Sequence, residues 1–432
     1  MKQIGKKINE FENTYLNDLQ KLIRIPSVHQ DRSGKEEPFG KEIRNCFDEF
    51  LKIGERLGFE SFDDEGYACG FVMGEGNEEI AVLGHLDVVD AGDPSLWNDP
   101  PYQLSNHDGI LYGRGVNDDK GPLLAALYAM YLLKQKGLPF RRKIRLIAGG
   151  AEETTWEGIR HYFEKYPQPL FGFSPDGDFP IVNGEMGIMK FSFLFDMNDS
   201  EISIVSDTPN NLVCDHIIYK DNETVREYHG KRALSRHPER GQNAVWQFVE
   251  DDIPVRNETL KNCIDLLKRY FAHDNKGMKS GLYANDEKMG ESSLCLTKMY
   301  TDNHILIVKL DLRYPATLKT EEIKAKLEEI AKQADARLQI DEEKKCLYLD
   351  ENSEFIKALK DSYEIVIGEK ADCIVKKGAS YARALEIGVA FGASFPGEVS
   401  DCHMPNEKMP LSSLKKAIEI YYEALYRLTI KS

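Results

Sequence analysis

The sequence contains no apolar run approaching the roughly 20 residues needed to cross a bilayer, so no membrane helix is expected. Its opening stretch, MKQIGKKINEFENTYLNDL, lacks the apolar core of a signal peptide and reads as an amphipathic helix. The eight cysteines (Cys46, Cys69, Cys214, Cys263, Cys295, Cys346, Cys373 and Cys402) are scattered and form no CxxC pair. Disulfide frameworks belong mostly to short secreted chains, so free thiols and a cytoplasmic protein are the expectation. Basic residues are in deficit: 56 Lys and Arg face 72 Asp and Glu, a formal net charge of −16. A nucleic-acid binder is usually basic, so neither nucleic acid nor membrane is an expected partner. Internal repeats and low-complexity stretches are also missing.

What is present is a large, well-mixed chain. At 432 residues it exceeds one typical domain, and two are expected. The hydrophobic fraction of 41% can supply a core, and the 30% of charged residues mix both signs, which argues against disorder.

The first part alternates helix and strand signals. Helices are expected over about 4–24, 39–57, 121–137 and 157–166. Apolar runs at 80–89 (IAVLGHLDVV), 143–150 (KIRLIAGG) and 170–175 (LFGFSP) read as buried parallel strands. This order predicts an α/β domain with a mainly parallel sheet flanked by helices. After about Gly187 the pattern changes to strand alternation, with helices near 256–272 and 320–335. That predicts an inserted α+β unit over 188–346, with 1–187 and 347–432 forming the first domain. Helix signals resume at 354–367 and 412–428, with a strand at 388–394.

Acidic residues and histidines follow the strands. His85 and Asp87 come after IAVLG, Glu152 and Glu153 after KIRLIAGG, Asp176 after LFGFSP, and His403 after GVAFGASFPGEVSDC. Asp118, in YGRGVNDDKGP, lies just before the helix at 121. Ligands of a doubly wound sheet bind at the carboxyl ends of its strands, so these side chains share one edge. Alone, each has an ordinary structural role. Gathered together, the carboxylates would repel one another without a cation. Imidazole and carboxylate suit zinc, with cobalt or manganese as substitutes. One carboxylate can bridge two ions, and such a pair acidifies a water held between them. Of the neighbours Glu152 and Glu153, one can hold metal while the other takes the water's proton. Asp87 is suited to accept a hydrogen bond from the ring of His85.

The motifs GHLDVV (84–89), YGRGVNDDKGP (112–122), GGAEET (149–154), SPDGDFP (174–180), NGEMG (183–187), GASYAR (378–383) and CHMPNE (402–407) carry a resemblance. The chain resembles the dinuclear-zinc peptidases related to aminoacylase, carnosinase and carboxypeptidase G, and most of all the bacterial PepV-type dipeptidases. The resemblance implies two zinc ions. His85, Asp118 and Asp176 would hold one, and His403, Asp118 and Glu153 the other. It makes Glu152 the general base, Asp87 the partner of His85, and Arg313, in LDLRYP, the grip on the substrate carboxylate. Asn211 in NNLVCD matches a lid asparagine that holds the substrate carbonyl. The expected function is a dipeptidase, with a small peptide as partner, an inserted lid and a monomeric state.

Two positions depart from the family pattern. GKRALSRHPERGQNA (230–244) places Leu234 where a histidine that stabilises the oxyanion belongs, with His237 three residues on. Losing one such donor typically costs ~3–4 kcal/mol. Ala151 stands where aspartate is common. The same site would also serve an N-acyl amino acid deacylase, and Leu234 would suit a catalytically impaired zinc-binding relative.

Overall fold

The computed structural model describes residues 2–198, 201–252, 255–399 and 401–430. The chain divides into two compact units. One comprises Met1–Asn183, Leu349–Ile374 and Ser380–Ser432; the other comprises Gly184–Tyr348 and Val375–Ala379.

The first unit is organised by Glu79–His85, whose residues after Glu79 are all buried. Alternate side chains point to opposite faces of a strand. Accordingly, Ile80 and Val82 join one apolar cluster and Ala81 and Leu83 another. Both faces are therefore covered. The helices Lys2–Ile23, Lys41–Arg56, Lys120–Lys134, Glu354–Ile367 and Leu411–Thr429 contribute to the first cluster, and Glu157–Lys165 to the second.

Across this sheet the strand order is Glu60–Asp64, Ala68–Met73, Lys143–Gly149, Glu79–His85, Phe171–Ser174, Gly388–Ala390 and Ile181–Glu185. The four central strands run parallel. Those on either flank are antiparallel to their neighbours. The expected α/β architecture is thus present, and its carboxyl strand ends lie on one edge.

Several details differ from the sequence expectation, and the strand anticipated over 388–394 covers Gly388–Ala390. The strand anticipated over 80–89 ends at His85. Beyond it, Leu86 N–H donates to Gly149 O and Val88 N–H to Ser27 O, which peels the chain off the ladder. The flanking pair Glu60–Asp64 and Ala68–Met73 was not anticipated, because ESFDD is polar and only its last residue is buried.

Helix Lys120–Lys134 is buried along almost its whole length, which explains its apolar sequence. Lys120 at its start is buried too. Its Nζ donates to Leu22 O and Ile25 O, where the carbonyls ending the first helix need partners.

The second unit carries a four-stranded antiparallel sheet in the order Ser293–Asp302, Ile305–Tyr314, Gly187–Asp196, Arg337–Lys344. A separate three-stranded sheet joins Ser203–Val205, His216–Lys220 and Val225–His229. Helices Glu258–Tyr270 and Thr320–Gln333 match the expected pair, and Ala244–Glu250 is an additional one. Asn243 and Asn257 cap two of them through their side chains.

Candidate metal centre

The parallel strands deliver their terminal residues as expected. His85 closes its strand, Glu152 and Glu153 follow Lys143–Gly149, and Asp176 follows Phe171–Ser174. Asp118 and Asp119 precede the buried helix at its amino end.

Asp118 stands at the centre. Its Oδ1 lies 2.9 Å from His85 Nε2, and its Oδ2 lies 3.0 Å from His403 Nε2. Glu153 Oε2 is a further 3.0 Å from His403 Nε2. Two groups of donor atoms result: His85, Asp118 and Asp176, and Asp118, Glu153 and His403, each with all its atoms within 4.8 Å of one another. Donors on one tetrahedral zinc ion sit about 3.3 Å apart, given bonds of about 2.0–2.1 Å. The observed spacings and the imidazole–carboxylate donor set fit such ions.

The charge balance agrees. Burial works against a charge on His85, yet hydrogen bonds with Asp118 and Asp87 raise its pKa well above the usual range. Hydrogen bonds to Asp118 and Glu153 push His403 up to about 11. Asp118 is buried, but the bonds from His403 and His85 outweigh that and hold it low. Burial, followed by the charge on Asp118, raises Glu153 to about 7. Burial also raises Glu152 well above the usual carboxylate range; His85 opposes this, and Asp176, Glu153 and Asp118 reinforce it. Without cations, these groups must share protons to coexist.

Asp87 is fully buried and contacts more than His85. His85 Nδ1 lies 3.0 Å from the backbone carbonyl of Asp87 and 3.6 Å from its carboxylate. The carboxylate also accepts from Glu152 N–H at 3.1 Å and Glu153 N–H at 3.0 Å. Asp87 thus fixes the turn that presents both glutamates. That turn begins at Ala151, whose φ of 62° is left-handed. Such a conformation costs about 1–3 kcal/mol for a residue with a Cβ. Aspartate tolerates it better than alanine, a physical reason for the residue common at this position.

Comparisons place this geometry among known proteins. The sequence profile described as peptidase family M20/M25/M40 matches residues 81–427. The chain belongs to this family. The "Putative dipeptidase YtjP" of Bacillus subtilis (strain 168) is 30% identical over 454 residues, covering 96% of each chain. A "Putative dipeptidase SH1171" of Staphylococcus haemolyticus is 28% identical, covering 99% of each. Human carnosine dipeptidase 1 shares the fold with a TM-score of 0.64 at 16% identity, over 98% of this chain and 97% of its own. The family metallo-carboxypeptidase Sso-CP2 of Sulfolobus solfataricus does so at 0.62 and 18%, over 95% and 98%. As a member of the family, the chain is a metallopeptidase.

The remaining predicted residues lie in the second unit. Arg313 is buried there; its Nη2 donates to Asp311 Oδ2 at 2.8 Å and its Nη1 to Lys377 O at 3.0 Å. Its guanidinium is therefore fixed, with Nε lacking a partner among the described residues. Asn211 is exposed, and its carbonyl accepts from Ser235 N–H. Leu234 is 40% exposed and offers no donor. His237 lies 3.4 Å from Glu239, and burial lowers its pKa.

Sequence reasoning missed several supports. Buried Glu407 pairs with Arg114 at 2.7 Å and accepts from the N–H groups of Gly115, Asn117 and Asp118. It holds the loop that carries Asp118. Asp119 Oδ2 accepts from His85 N–H, while its Oδ1 has no partner among the described residues. Gly84 permits this approach, since a Cβ there would meet Asp119 Oδ2 at 2.2 Å. Beside Arg313, the second unit also holds Arg236, lowered by burial and then by the charge on Arg313. The motif CHMPNE contained Glu407, but nothing in it separates a buried acceptor from a surface charge.

Proposed function

We propose that this metallopeptidase is a zinc-dependent dipeptidase that hydrolyses the amide bond of short peptides at a dinuclear centre. The placement of Asp118 carries the proposal, with one carboxylate oxygen toward His85 and the other toward His403. His85, Asp118 and Asp176 would hold one ion, and His403, Asp118 and Glu153 the other. When bound, the pair supplies Lewis acidity and a water acidified toward neutral pH.

The chain's own residues do the rest. Glu152 is close enough to feel the charges of His85, Asp176, Glu153 and Asp118, and neither donor group includes it. Burial raises its pKa and makes its carboxylate a stronger base, so in the ionised form it can accept the proton of the attacking water and return it to the leaving amine. Asp87 holds Glu152 and Glu153 in place through their backbone N–H groups. Residues 188–346 act as a lid in this reading. Arg313 recognises the substrate carboxylate, since a fixed guanidinium fork matches it. Asn211 engages the substrate carbonyl. The protein acts as a monomer.

Hydrolysis of a panel of unblocked dipeptides and N-acetyl amino acids at saturating zinc tests the substrate. Turnover of the dipeptides is expected. Turnover of the N-acetyl compounds alone would replace the reading with a deacylase, and the loss of both activities would leave a zinc-binding relative.

A further inference from the structure

A second cluster of metal-type donors lies in the other unit, apart from the residues assigned to catalysis. His216 and His229 are directly opposed partners on the antiparallel strands His216–Lys220 and Val225–His229. Directly opposed side chains share a face, and so do residues two apart on one strand. Glu227 therefore joins them. Its Oε1 lies 2.9 Å from His216 Nε2 and 3.2 Å from His229 Nε2. The two imidazoles are stacked, 4.9 Å between centroids and 10° between planes, so both present Nε2 on the same side. These three donors lie within 4.8 Å of one another, the same closeness found in each group of the catalytic centre.

A fourth residue completes the pattern. Asp207, following the strand Ser203–Val205, lies 3.0 Å from His216 Nδ1. A carboxylate on the outer nitrogen fixes the tautomer that turns the Nε2 lone pair inward, as in carboxylate–histidine–zinc sites. The geometry points to a separate divalent-metal site formed by His216, Glu227 and His229, with Asp207 orienting His216. Two imidazoles and one carboxylate select zinc over calcium or magnesium, which prefer oxygen ligands. Glu227 and His229 are solvent-exposed, leaving room for a water as fourth ligand. Val225–His229 is the outer strand of its three-stranded sheet. An ion bonded to both strands would pin this hairpin.

Zinc counting on the chelator-stripped full-length chain, reloaded by dialysis, tests the site. It is independent of the dinuclear reading when read in two backgrounds. The His216→Ala/His229→Ala variant should hold about one zinc fewer than the unmodified chain. The His85→Ala/His403→Ala variant should retain one zinc that the further change Glu227→Gln removes. Glu227→Gln alone guards against a double variant that misfolds, because it replaces an exposed side chain with one of equal size. Asp207→Asn should weaken this zinc by about 10- to 100-fold without abolishing it. Equal zinc content with and without Glu227→Gln and the two histidine changes would overturn the site.

Discussion

At the scale of single residues, the centre asks different things of neighbouring carboxylates. Glu153 touches His403, whereas Glu152 stands one position earlier with no hydrogen bond to either histidine's ring. Glu152→Gln should therefore lower kcat by about 100- to 10,000-fold. Zinc content should stay unchanged, as metal analysis of the variant will show. A parallel loss of metal would make Glu152 a ligand instead. Leu234 poses the opposite question, because its exposed side chain cannot hydrogen-bond. Leu234→His should raise turnover of dipeptides, by up to about 100-fold if the imidazole serves as the missing oxyanion donor. Steady-state kinetics on one dipeptide decides this, and no gain in kcat would place the oxyanion contact elsewhere.

At the scale of elements, loops and turns fix the site more than the strands do. Glu407 gathers three backbone N–H groups of the loop before helix Lys120–Lys134 and neutralises Arg114 within the core. Glu407→Gln leaves Arg114 buried without a charge partner, which should cost about 3–5 kcal/mol in a denaturant titration. A loss under 1 kcal/mol would mean that the loop holds itself. This element also shows what the sequence could disclose. Ile80, Val82, Leu146 and Phe173 lie on apolar runs that announce buried strands, so the strand ends and the acids following them were legible. Glu407, Arg114 and Asp119 were not, because their burial depends on partners distant in the chain: Arg114 and Glu407 are 293 positions apart, and Asp119 and His85 are 34 apart. The strand Glu60–Asp64 was hidden for another reason: as the outermost strand it has little apolar pattern to display.

At the scale of the whole molecule, net charge and the centre pull in one direction. The chain is formally −16, and the acids of the centre sit with two histidines that hold protons when no cation is present. His403, raised to about 11, is protonated at pH 7, and Glu153, raised to about 7, is partly so. An ion must displace these protons, so zinc uptake should release them and zinc affinity should rise with pH across neutrality. Calorimetry of zinc binding in buffers of different ionisation enthalpy measures the release. Identical heats in every buffer would contradict it.

The central claim, that Asp118 lies between two metal ions, is tested most directly by anomalous diffraction at the zinc edge from zinc-grown crystals. Apart from any peak at His216 and His229, a pair of peaks about 3.5–4 Å apart is predicted, one beside His85 and Asp176 and one beside His403 and Glu153. A single peak at this centre, or a pair without Asp118 between its members, would contradict the account.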